Sequence, residues 1–237
     1  MALLLLLAAA CADRLDGRTA EEWANALADP DKGQAAHDQL AARGTEAVPI
    51  LVALVETAPP KPRIMAASLL ARLGPEATHA VPALAKALKA KDRGVRGMAA
   101  IALGRIGPGA KDALVPLDRA LSDRDVRVRV AASLAIFGIT GDTAAPTRVL
   151  FATLKSPDPD VRAMVAEAFD EMGTPILGLL ERSLENPDEA TREAAAQTLG
   201  AMGPGAIEAK PALLRALEDK SEAVRAAAAA ALQEIER

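Results

Sequence analysis

In 237 residues the sequence has no tyrosine, one tryptophan, three phenylalanines, two histidines and one cysteine, Cys11. Each scarcity excludes something. A lone cysteine permits neither an intramolecular disulfide nor a cysteine-based zinc site. Aromatics at 2% leave little for nucleobases to stack on. The 28 basic residues are outnumbered by 32 acidic ones, for a net charge of −4, so the basic footprint of a nucleic-acid binder is also missing. Nucleic acid is therefore not an expected partner. No glycine-rich phosphate loop or nucleophile elbow occurs. "SPDPD", Ser156 to Asp160, lacks the glycine and closing glutamate of a calcium loop and reads as a cap and turn.

What is present is alanine and the aliphatic residues, which carry most of an apolar content of 51%. Alanine is the best helix former and a poor strand residue. The composition therefore predicts an all-α fold whose core is filled by close approach of backbones.

The N-terminus, "MALLLLLAAACADRLDG", carries an apolar run too short to span a bilayer as a helix but suited to a secretory signal. Its "AAAC" ending resembles a bacterial lipoprotein signal, which would make Cys11 the lipidated first residue of the mature chain. Ala8 stands where that family prefers leucine, and no Lys or Arg precedes the run. Cleavage after Ala10 or Ala12 by an ordinary signal peptidase fits as well, as does an uncleaved apolar tail. The first reading implies export to the cell envelope with a lipid anchor at Cys11; the last leaves a cytoplasmic protein. Residues 1–12 are set aside from the fold.

The dominant feature is repetition. "PRIMAASLLARLGP", "VRGMAAIALGRIGP", "VRAMVAEAFDEMGT", "TREAAAQTLGAMGP" and "VRAAAAAALQEIER" are variants of one segment, and their arginines and that of a further copy fall at Arg63, Arg96, Arg129, Arg162, Arg192 and Arg225. The spacings are 33, 33, 33, 30 and 33, a period of stacked supersecondary units. Each unit reads as two helices. A first helix such as "AVPALAKALKA" is followed by a polar turn in which Asp92, Asp125, Asp158, Asp188 and Ser221 are placed as N-caps of the second helix. Counting the residue before the arginine as zero, positions 0, 4, 7, 8 and 11 form one apolar face at helical period, here Val95, Ala99, Ala102, Leu103 and Ile106. Gly74-Pro75, Gly107-Pro108 and Gly203-Pro204 end the helices, whereas "FGITGD" puts Thr140 where glycine is expected.

This pattern resembles the HEAT-like repeat first described in phycobilin-lyase subunits. It covers residues 47–237 as six repeats, after a degenerate helical unit within 13–46, where "TAEEW" supplies a capping box from Thr19 to Glu22 and Trp23 closes the core. The resemblance implies a right-handed α-solenoid with first helices convex and second helices concave. It does not fix an activity. Deoxyhypusine hydroxylase, which resembles this fold, holds di-iron with His-Glu pairs; here His37 precedes Asp38 and His79 precedes Ala80. No catalytic residue, metal ligand or cofactor site is expected. The repeated arginines are read as a structural ladder to turn acids of neighbouring repeats, with anion binding as the alternative.

Positions 2, 6 and 9 lie opposite the core face. They include Ile64, Ile101, Val130, Leu134 and Phe137 in the first three repeats, then Glu167, Asp170 and Glu193. An apolar groove with an acidic continuation predicts a non-enzymatic scaffold that binds a protein or peptide partner on its concave face. If "FGIT" shifts the helical phase, Val130, Leu134 and Phe137 turn inward as core. The competing functions are an enzyme or accessory subunit of the lyase or oxidoreductase type, and a purely structural spacer.

Overall fold

The computed structural model describes residues 14–154, 158–172 and 177–237, so Cys11 and the signal-like segment lie outside it. The chain divides into two units, Met1–Gly141 and Asp142–Arg237.

The first unit opens with a two-residue hairpin, β1 (Arg14–Leu15) and β2 (Arg18–Thr19), paired antiparallel. Asp16 and Gly17 turn it, both at positive φ, the backbone that an Asp-Gly pair favours. Helices α1 (Ala20–Ala28) and α2 (Gly33–Ala42) follow. Thr19 and Glu22 form the expected reciprocal capping box. Trp23 is fully buried, and its indole N–H donates to the Leu15 carbonyl at 3.2 Å, which ties the hairpin to the core.

Three regular repeats complete this unit: α3 (Val48–Thr57) with α4 (Pro60–Leu73), α5 (Val81–Ala87) with α6 (Arg93–Ile106), and α7 (Leu114–Ala120) with α8 (Val126–Thr140). Asp92 and Asp125 cap α6 and α8 as predicted, each accepting a backbone N–H of the first turn. Gly74 and Gly107 end their helices at φ of 58° and 70°, where a Cβ would be strained. Each then leads through proline into a 3-10 turn, Gly74–Ala80 or Gly107–Ala113. The third repeat lacks the proline. Here α8 runs on through Thr140 and stops at Gly141, whose N–H bonds the Phe137 carbonyl.

The second unit contains α9 (Ala144–Leu154), α10 (Pro159–Met172), α11 (Leu177–Ser183), α12 (Glu189–Ala201), α13 (Lys210–Ala216) and α14 (Glu222–Ile235). Asp188 and Ser221 cap α12 and α14. Phe169 is fully buried and packs on Phe151 with ring centroids 5.4 Å apart.

In both units the second helices pack along one another: α6 on α4 and α8, α14 on α12. The contact is close enough to exclude a methyl group. A Cβ on Gly104 would lie 2.8 Å from the Ala135 Cα, and one on Gly200 would lie 2.8 Å from the Ala231 Cα.

Arginine and aspartate join the same neighbours. Arg96 donates from Nε and Nη2 to both oxygens of Asp123, at 2.8 and 2.9 Å, and from Nη1 to the carbonyls of Ala90 and Lys91. Arg192 repeats this with Asp219 at 2.7 and 2.9 Å and with the carbonyls of Asn186 and Pro187. The expected ladder thus has two rungs among the described residues, both bidentate. The acids are not the N-caps. They stand two residues earlier in the turn, where Asp123 and Asp219 also accept the N–H of Asp125 and Ser221. Burial pushes the Asp123 carboxyl up, but the Arg96 guanidinium and the Asp125 amide outweigh it and hold the group low. The hydrogen bonds from Arg192 and from the Ser221 amide bring Asp219 down to about 2. Arg63 lacks such a partner: position 90, which corresponds to 123, is alanine, and the Arg63 Nε is buried with no acceptor.

Four outcomes follow from these contacts. Gly104→Ala and Gly200→Ala each lower the urea-unfolding free energy by about 1–3 kcal/mol. Gly97→Ala, whose Cβ would sit 3.9 Å from Val128 Cγ2, instead gains up to about 1 kcal/mol from helix propensity. Ala90→Asp gives the buried Arg63 Nε an acceptor and raises the same unfolding free energy by about 1 kcal/mol. Because Asp219 is lowered on folding, its contribution is complete above the ordinary carboxylate value of about 4 and disappears as pH falls towards 2. Asp219→Asn therefore flattens the acid limb of a stability-versus-pH curve, and an unchanged limb refutes the assignment.

Candidate functional site

The face opposite the core was predicted from helical period alone, and the structure sorts its members. In the first unit, Ile101 is 41% exposed in the middle of α6. Leu134, at the same repeat position on α8, is half-buried, as is Phe137 one turn further on. These three side chains form an apolar ridge on adjacent second helices.

Two predicted members leave it. Val130 is only 3% exposed, so it belongs to the core rather than to a binding face. It precedes Leu134 by one turn, and helical side chains lean back over the turn before them, which puts the larger leucine above the short valine. Ile64 is half-buried, and its Cδ1 lies 2.8 Å from where a Gly94 Cβ would stand. It packs on the start of α6, filling space that glycine leaves.

In the second unit Glu167 and Asp170 are exposed on α10, and Glu193 is half-buried on α12, where it accepts a hydrogen bond from the Gln197 amide at 2.9 Å. Gln197, Gly200 and Ala230 from the predicted face line an open depression of about 540 Å³ between α12 and α14. Its floor is alanine and glycine, and Glu234 and Arg237 stand at its edge.

The remaining candidates supply no further chemistry. Nη1 of Arg96, Arg129, Arg192 and Arg225 donates to turn carbonyls of its own repeat, which favours the structural reading over anion capture. His37 contacts Asp38 at 3.4 Å and His79 sits exposed in a 3-10 turn. Among the described residues no three metal-ligating side chains cluster, and no helix is long and apolar enough to cross a membrane. Helical period did not anticipate the exposed Leu214 and Leu217 on and just after α13, or Ile207 before it. Their signal is comparative: Leu217 matches Leu88, Leu121 and Leu184, all buried.

No curated protein sequence matches this chain. Among solved structures, a chain of the Kap95p–RanGDP complex is 18% identical with a TM-score of 0.54, covering 91% of this chain and 34% of its own length. An engineered protein is 22% identical with a TM-score of 0.39, covering 92% of this chain and 96% of its own. A designed armadillo repeat protein in complex with the peptide (KR)4 is 20% identical with a TM-score of 0.37, covering 90% of this chain and 98% of its own. The first of these likenesses supports the α-repeat fold and nothing more. The HEAT-repeat family matches residues 48–136 and 146–233, most of the chain and each of the regular helix pairs, and the protein belongs to the HEAT-repeat family.

Proposed function

We propose that this chain is a non-enzymatic protein-binding scaffold, and that the ridge of Ile101, Leu134 and Phe137 receives an apolar segment of a protein or peptide partner. The observation that carries the reading is the exposure of Ile101. A solvated helix face ordinarily carries Lys, Glu or Gln, yet here a β-branched side chain stands 41% open at mid-helix, with a leucine at the same position one repeat later. Burying such side chains against a partner yields about 25 cal/mol per Å² of apolar area removed from water. The acidic positions Glu167, Asp170 and Glu193 of the second unit suit basic groups of a partner. Anchoring at the cell envelope through Cys11 is compatible with this function.

A pull-down from native extract in detergent, using the chain as bait, tests it. The bait captures a defined partner, and Ile101→Glu with Leu134→Glu lowers the captured amount at least about tenfold while the helical circular dichroism stays unchanged. The same proteins recovered with both baits would rule out the ridge as the binding face. Specific capture by neither bait would favour a spacer.

A further inference from the structure

The close contact between second helices opens between α2 and α4. Gly74, Gly107 and Gly203 end their helices at positive φ, and a Cβ on each would lie 3.3 to 3.8 Å from a carbonyl oxygen of the next second helix. Gly44, just past the end of α2, has the same kind of backbone at φ 54°, yet nothing stands within 4 Å of its Cβ position. Leu73, at the end of α4, is half-buried, although Ile106, Ile139, Met172 and Ile235 at its repeat position are buried. Helices α2 and α4 therefore diverge at their C-terminal ends. Between α2, α3 and α4 lies a cavity of about 130 Å³. Leu40, Leu51 and Leu69, all buried, wall it, and the half-buried Ala41 and Leu73 and the exposed Arg72 share the lining.

Leucine walls favour an apolar occupant over water: apolar cavities of about 150 Å³ stay dry and admit benzene. The lining also carries one charge. Arg72 has no acceptor among the described residues, and no acidic side chain lines the cavity. A guanidinium so placed prefers a carboxylate, which it can hold through two parallel N–H donors. We propose that this cavity binds a small monocarboxylate, with a phenyl or branched alkyl group among the leucines and the carboxylate on Arg72. The apolar volume limits that group to about six carbons. The cavity shares no residue with the ridge of Ile101, Leu134 and Phe137.

Leucine-methyl NMR on the full chain, titrated with benzoate, benzene and benzylammonium, tests the assignment. The methyl signals of Leu40, Leu51, Leu69 and Leu73 shift and saturate with benzoate at a dissociation constant of about 1 mM or below. Benzene binds at the same methyls at least about threefold more weakly, and benzylammonium more weakly still. Arg72→Gln raises the benzoate constant at least about threefold and leaves that of benzene unchanged. Ala41→Leu fills the cavity and abolishes both, with no loss of melting temperature. No saturable shift at these leucines up to about 10 mM benzoate would overturn the proposal. So would benzene or benzylammonium binding as tightly as benzoate, or a benzoate affinity indifferent to Arg72→Gln or to Ala41→Leu.

Discussion

The structure depends on second helices that touch backbone to backbone. At Gly104 and Gly200 the neighbouring helix comes so near that a Cβ would fall 2.8 Å from an α-carbon. Helices can approach this closely only where both surfaces are small, which is why alanine dominates the second helices and aromatics amount to 2% of the chain. Large buried side chains gather between first and second helices, as at Leu84, Leu103 and Leu117, all fully buried. The protein's chemical poverty is thus a packing requirement. A bulky residue at Gly104 or Gly200 would push the neighbouring helices apart.

This requirement also explains which residues are left exposed. The core face is full, and the flanks meet the adjacent helices. On second helices flanked on both sides, such as α6, only a narrow strip stays open to solvent. In the first unit that strip carries Ile101, Leu134 and Phe137; in the second it carries Glu167, Asp170 and Gln197. Function in such a protein rests on a few residues per repeat while the rest hold the spacing.

Most of the fold could be read from the sequence because its signals are local. A cap acid, an apolar face of helical period and a Gly-Pro stop act within one helix, and Asp92, Ala99 and Gly107 each do what their type and position imply. The hairpin at Arg14–Thr19 leaves only the Asp16-Gly17 turn signal in the sequence, since two-residue strands are too short to show any alternation. The exposed face is less legible in the sequence. A helical wheel separates core from non-core, but a stacked helix also has flanks facing its neighbours in the repeat. Ile64, Val130 and Gly200 lie on the non-core side and are nevertheless covered, in whole or in part. Nor could the wheel identify the acids of the rungs, because Asp123 and Asp219 sit 27 residues beyond their arginines in the next turn.

Each of those two aspartates takes a guanidinium from the preceding repeat and an amide from its own turn, so neither repeat can open without releasing the other. Stability in a repeat array is a sum of intrinsic and nearest-neighbour terms. In this chain the neighbour terms are unequal. The α6 and α8 repeats are clasped, as are the α12 and α14 repeats, while Arg63 has no carboxylate waiting at position 90. In the first unit, α4 meets α6 by packing without a carboxylate for Arg63, so a local opening of the helices before α5 breaks no Arg–Asp rung.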